Sequence, residues 1–301
     1  MDRLRILSSL SSATSESVDA GQLLRKINKG HRNSVLKWLF ESLDLLKVED
    51  SVFFATVLLS DRYCCKLAHS RRLEGADLQL VILASLCCSL KVVDSSVDLS
   101  VKAFIEHVSG GHVDAKDIFM TEARILRLLN FDAFVPSLSE FVTSFYEMLL
   151  ENKSTTSSPL EQEVRRMQLP AIIRRKREMS IFLLYLTVLD VERFHSMDLP
   201  TLVSSCILSG AWIVSSSRNR ASTEEIAREV SPIADGLIHG GWLSEQEDFL
   251  GIIQETVAFW EVTMSKPSEA VTSLKRIFGS NDRCEVATIT LNDPRIMSSG
   301  G

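Results

Sequence analysis

Two residues of opposite charge, Lys91 in Cys-Ser-Leu-Lys-Val-Val-Asp and Glu122 in Met-Thr-Glu-Ala-Arg-Ile-Leu, each stand in an otherwise apolar helical pattern. An unpaired ion is costly to bury, so a charge in such a setting needs a counter-ion, solvent or a partner's surface. The residue types alone leave three readings open: an internal ion pair, two solvated side chains, or a pair at the rim of an interface. Catalysis finds little support. Gly-x-Gly-x-x-Gly, Gly-x-x-x-x-Gly-Lys and His-Glu-x-x-His are absent, and the 6 histidines are scattered. The 6 cysteines, at 64, 65, 87, 88, 206 and 284, form no Cys-x-x-Cys and have no nearby His at zinc-ligand spacing. Neighbours on a helix diverge by about 100°, so neither Cys64-Cys65 nor Cys87-Cys88 can close on one ion. They read as small core residues, and neither a metal nor a cofactor is expected.

Composition narrows the partners. The chain has 301 residues, 45% hydrophobic and 24% charged, enough for one large or two small packed domains. A net charge of −6 argues against nucleic acid as the main partner, because phosphate neutralisation needs a basic field. The apolar runs around Val81–Leu90 and Ile181–Leu189 fall well short of the ~20 residues that span a bilayer, so no membrane segment or membrane partner is expected. After Arg3 and Arg5 the chain turns to Ile-Leu-Ser-Ser-Leu-Ser-Ser, too polar for a secretory leader. The expected location is nucleus and cytoplasm.

The elements that must carry Lys91 and Glu122 read as helices throughout. Residues 1–20 are Ser-rich and aperiodic, and the first helix is predicted near Val35, with Leu36, Leu39, Phe40, Leu43 and Leu46 on one stripe. A second runs Val52–Leu59 and ends in Ser-Asp-Arg-Tyr. A third, from Asp77 through Leu90, is apolar nearly all round and too poor in β-branched residues for a strand. Val101–Val108 makes a fourth, broken at Gly110-Gly111. Asp114 or Asp117 caps a fifth, whose apolar face is Ile118, Ile125, Leu126 and Leu129. After Pro136 the pattern restarts with Leu138, Phe141, Phe145, Met148 and Leu149, followed by a Ser/Thr/Pro loop up to Pro159. The basic run Arg174-Arg175-Lys176-Arg177 suits a solvated helix face or loop, with a nuclear-import signal as the other reading. Ile181–Leu189, Leu199–Val214 and Leu250–Trp260 supply further helices. Asp77-Leu78-Gln79-Leu80 and Asp198-Leu199-Pro200-Thr201 open equivalent helices of a weak repeat, with Pro200 where a missing N–H costs nothing. The prediction is an all-α fold of two tandem five-helix domains, residues 21–136 and 137–265, between a disordered extension (1–20) and a tail (266–301).

Several separated motifs in this order resemble the cyclin family, over roughly residues 30–291. They are Arg32 ahead of Trp38, Asp61-Arg62-Tyr63, Leu78-Gln79-Leu80-Val81, Lys91, Glu122 ahead of Phe131-Asp132, and Pro136. Leu274-Lys-Arg-Ile-Phe-Gly and the following Val-Ala also look like the ending of A/B-type mitotic cyclins. The resemblance implies two cyclin boxes and a regulatory subunit, not an enzyme, that forms a heterodimer with a cyclin-dependent kinase and switches it on, with G2/M as the expected phase. It implies a kinase grip at Lys91 and Glu122 with Val92, Leu126 and Phe131 as apolar contacts, and a structural salt bridge between Arg32 and Asp61. The family's substrate-docking patch maps to Val35, Trp38, Glu41 and Gln79. There His31-Arg32-Asn33-Ser34-Val35 has polar residues where the family has two large apolar ones, so docking of substrates or inhibitors is expected to be weakened. No Arg-x-x-Leu lies upstream of His31, so the usual mitotic destruction signal is missing from that segment. The alternative within the same fold is a transcription regulator or the partner of a transcriptional kinase.

Overall fold

A computed structural model describes residues 18–67, 72–93, 113–133, 137–151, 171–217, 222–244 and 248–290. These residues form twelve α-helices and two 3-10 turns, with no strand among them, as the apolar periodicity predicts. In chain order the helices are α1 (Ala20–Lys26), α2 (Lys29–Leu45), α3 (Asp50–Lys66), α4 (Gly75–Val93), α5 (Ala115–Leu128), α6 (Leu138–Glu151), α7 (Ala171–Leu189), α8 (Val191–Ser196), α9 (Leu199–Ser216), α10 (Thr223–His239), α11 (Phe249–Ser265) and α12 (Glu269–Phe278). The expected helix at Val101–Val108 lies outside the described residues.

The chain divides into two compact units. The first consists of Ala13–Ser139 together with a later piece, Leu189–Ser196; the second is built from Glu140–Val188 and Met197–Gly301. In the first unit α4 is the central helix and packs against α2, α3 and α5. Its inner residues Ile82, Leu83, Ala84, Leu86, Cys87 and Leu90 are almost fully buried. Side-chain oxygens start the surrounding helices. Asp19 accepts from the Gln22 N–H, Asn28 from those of Gly30 and His31, and Asp114 from that of Lys116. Asp114 is thus the cap of α5, and α2 begins at Lys29, ahead of the apolar stripe that predicts it. The helix α1, within or next to a segment predicted to be aperiodic, packs on α3 and on α8. α3 continues through Asp61 to Lys66 and does not end at the Ser-Asp-Arg-Tyr motif, because Tyr63 and Cys64 are themselves core residues.

The second unit centres on α9, which packs against α10 and α11. Gly210 of α9 lets α7 come very close: a Cβ there would lie 2.5 Å from Ser180 Oγ and 2.8 Å from the Ser180 backbone nitrogen. The Tyr146 hydroxyl of α6 lies 3.2 Å from Ser180 Oγ and donates to the Ile207 carbonyl at 3.4 Å, so one buried phenol ties three helices. Burial pushes that phenol well above its ordinary pKa, so it stays a neutral donor. α12 and the turns after it bury Leu274, Phe278 and Val286 in this unit, so residues beyond 265 belong to its core.

Two expectations need correction. α4 and α9 contain segments, Gly75–Val92 and Leu199–Ser216, long and apolar enough by length and composition to cross a membrane, because their helices extend beyond the apolar runs visible in the sequence. Both segments are mostly buried inside the protein, so core packing already accounts for their apolar character. The basic run on α7 is not simply a solvated face. Lys176 is buried and donates to Glu229 at 2.6 Å, while Arg177 and Arg283 both donate to the buried Glu178, at 2.7 and 3.2 Å.

Candidate functional site

Lys91 lies in the last turn of α4, where the helix dipole favours a cation, and Glu122 lies at the middle of α5, about two turns in. Because α4 and α5 pack together, the two meet: Lys91 Nζ donates to Glu122 Oε1 at 2.5 Å. The pair is lopsided. The Glu122 side chain is 11% exposed and that of Lys91 46%, so the carboxylate is set into the unit and the ammonium faces outward. One face of the ammonium also lies over the Phe119 ring, 5.8 Å from its centroid. The thiols of Cys87 and Cys88 lie buried on the inner side. Burial first and the Glu122 charge second push both up to about 12, so they are protonated packing groups.

Around this pair the surface is apolar. Val92 and Phe131 are exposed, Leu126 is half-buried at the edge of the core, and Phe119, Met120 and Leu128 of α5 also face outward. The last three were not singled out by the sequence, although Ile118-Phe119-Met120 carries a signal. Three large apolar residues in a row on a helix cannot all face one core. Phe131 follows α5 in a left-handed conformation, φ +60°, directly after Asn130 at φ +52°. Asn tolerates that region, but a left-handed aromatic residue costs about 1–2 kcal/mol. Arg62, buried on α3, holds the turn: Nη1 donates to the Asp132 carbonyl at 3.2 Å and Nη2 to its carboxylate at 2.6 Å. The Asp-Arg-Tyr and Phe-Asp motifs are therefore parts of one contact.

Arg32 and Asp61 form the expected internal bridge, with Nη2–Oδ2 at 2.7 Å and Nε–Oδ1 at 3.2 Å, both side chains buried. Sequence spacing did not suggest the third member. His195 Nε2, from α8, lies 3.0 Å from Asp61 Oδ2, so the piece of chain at 189–196 joins the first unit through a buried polar contact. Lys29 adds exposed contacts to Asp190 and Glu192 at 3.6 and 3.9 Å. Burial alone would raise the Asp61 pKa; the Arg32 guanidinium and the His195 ring outweigh it and hold the carboxyl below its ordinary value.

Of the docking-patch residues, Val35, Trp38 and Glu41 lie on α2 and Gln79 on the adjoining α4. All four are half-buried, and Glu41 accepts from Lys37 at 3.4 Å. No cluster of His, Cys, Asp or Glu suited to a metal occurs among the described residues.

Comparison with known proteins gives one family match and two relatives. Residues 4–133 match the cyclin N-terminal domain family. The G1/S-specific cyclin CLN2 of Candida albicans is 29% identical over 157 residues, covering 51% of this chain and 32% of its own length. The G1/S-specific cyclin CLN3 of Candida albicans is 28% identical with the same coverage of both chains. The chain thus spans about a third of the length of these relatives, and their names give G1/S where the sequence motifs suggest an A/B-type mitotic cyclin.

Proposed function

Taking as premise that residues 4–133 form a cyclin N-terminal domain, we propose that this chain is the regulatory subunit of a cyclin-dependent protein kinase and grips the kinase through Lys91 and Glu122. The observation that carries this reading is the asymmetric pair itself. Glu122 anchors Lys91 from inside while the ammonium and the apolar residues Val92, Phe119 and Phe131 remain at the surface. A purely internal ion pair would leave neither so open. An ammonium with one donor committed to Glu122 has two more for carbonyls or carboxylates on a partner. The surrounding apolar rings supply area, and the charge sets register and rejects mismatched partners.

The activity follows from a rigid surface. A kinase whose regulatory helix exchanges between inward and outward positions is driven inward by any partner that binds the inward position better. That movement assembles the kinase's own Lys–Glu pair and so permits phosphoryl transfer, with no catalytic group supplied by this chain. The phase favoured by the relatives' names is G1/S, against the G2/M expectation from the motifs. Val35, Trp38, Glu41 and Gln79 would offer substrates or inhibitors at most a weakened patch, and the complex would act in nucleus and cytoplasm.

The test is activation of purified cyclin-dependent kinases, cell-cycle and transcriptional, with histone H1 as phosphate acceptor. The double reversal Lys91→Glu with Glu122→Lys preserves an internal pair while inverting the charge shown to a partner. It is expected to abolish activation with the helical circular dichroism and Tm nearly unchanged. Activation that survives the reversal, or a wild-type chain that activates none of the kinases, refutes the proposal.

A further inference from the structure

The turn after α5 contains more conformational constraint than ending a helix requires. Asn130 in the left-handed region, with the Phe131 N–H donating to the Leu126 carbonyl at 2.7 Å, already satisfies the helix end. The chain nonetheless adds a second left-handed residue, and that residue is a Phe whose side chain is among the most exposed large apolar groups described, at 72%. A ring so exposed adds little to the core of the first unit, so core packing does not explain the strain. Backbone strain of this kind persists only where its surroundings impose it, and such residues cluster at binding and catalytic sites.

The imposing group is identifiable. Asp132 donates its N–H to the Leu129 carbonyl at 2.9 Å, Ala133 donates to the Phe131 carbonyl at 3.0 Å, and the Arg62 fork holds both the carbonyl and the carboxylate of Asp132. Phe131 is thus tied on both sides and keeps only its own side-chain torsions. A pre-ordered aromatic ring is the type of anchor that dominates interfaces, because little entropy is lost when it docks. We propose that Arg62 and Asp132 are positioning residues that present Phe131 to the kinase, and that the left-handed turn is retained for this presentation. The inference rests on the kinase-binding reading above.

The experiment uses the full chain and whichever purified cyclin-dependent kinase the wild type activates most, with affinity and Tm read together. Phe131→Gly removes the ring and accepts positive φ without strain. Its expected signature is a Tm equal to or above wild type with affinity reduced about tenfold or more, the size of an interface anchor. Asp132→Asn keeps the shape of the turn but weakens the Arg62 contact; it is expected to lower affinity severalfold alone and to add nothing in the Phe131→Gly background. A Tm that falls in Phe131→Gly, unchanged affinity, or an Asp132→Asn effect equal in both backgrounds each overturns the proposal. The Lys91/Glu122 reversal separates the two failures. If the reversal abolishes binding while Phe131→Gly does not, only this inference falls; if the reversal leaves binding intact, the kinase-binding reading falls with it.

Discussion

At the scale of single residues, buried charge governs both the stability and the specificity of the first unit. Asp61 satisfies Arg32 through two hydrogen bonds and also meets His195, all three side chains being nearly inaccessible. Its carboxyl titrates below 3.8 in the folded protein, so the unfolded chain binds the proton first. The associated stability is fully present above that ordinary value and is lost as pH falls below it through the folded value. Asp61→Asn should therefore flatten the acid limb of a Tm profile taken from roughly pH 3 to 7. At neutral pH it should destabilise by about 3–5 kcal/mol, the cost of breaking a buried ion pair by removing one of its charges. An unaltered profile would show that Arg32 and His195 do not hold this carboxyl. The bridge between Arg32 and Asp61 matches a family spacing; for Lys91 and Glu122 the residue types leave an internal pair, two solvated side chains or an interface pair open, and it is the packing of α4 on α5 that brings them together. His195 is not legible, since its partner lies far away in sequence and on a different helix, and no local pattern records such a contact.

At the scale of helices, periodicity recovered what faces a core and missed what is set by caps and neighbours. α4 and α9 were plain from their apolar length. α10 is absent from the helices that periodicity predicts, although Ser222 and Glu225 form a capping box, each accepting the other's backbone N–H, ahead of Ile226, Val230, Ile233 and Leu237. The polar pair after Leu59 suggests a helix end at Asp61. The helix continues because Arg32, Asp132 and His195 supply the partners that solvent would otherwise provide. The crossing of α7 and α9 depends on a missing side chain. Gly210→Ala should cost about 1–3 kcal/mol in denaturant unfolding, the range of overpacked cores. Adding Ser180→Ala should not restore it, because the Ser180 backbone nitrogen and Cα, at 2.8 and 3.0 Å from the built Cβ, remain in the way. Full recovery in the double variant would mean that the hydroxyl alone set the spacing.

At the scale of the whole chain, a weak repeat suggests two domains, while the two compact units are not divided at one point of the sequence. The sequence suggests a single boundary near Pro136. The structure gives Leu189–Ser196 back to the first unit, where Val191 and Phe194 are buried and α8 packs on α1. A fragment ending at Ser139 is expected to melt lower than the first unit does within the full chain. A synthetic peptide covering 189–196 should recover part of the loss, and the same peptide carrying His195→Ala should recover less. Equal recovery by both peptides would leave the contact between His195 and Asp61 without energetic weight. The interrupted first unit also bears on the order of events at the ribosome. Residues emerge amino-terminus first, and domains generally fold as they appear. Here the first unit cannot finish until α8 has left the exit tunnel, by which time α6 and α7 of the second unit are already outside. The buried carboxylate at Asp61 therefore waits, half-satisfied, through the synthesis of two helices that belong elsewhere. During that interval the nascent chain offers chaperones an open surface that the finished protein no longer has.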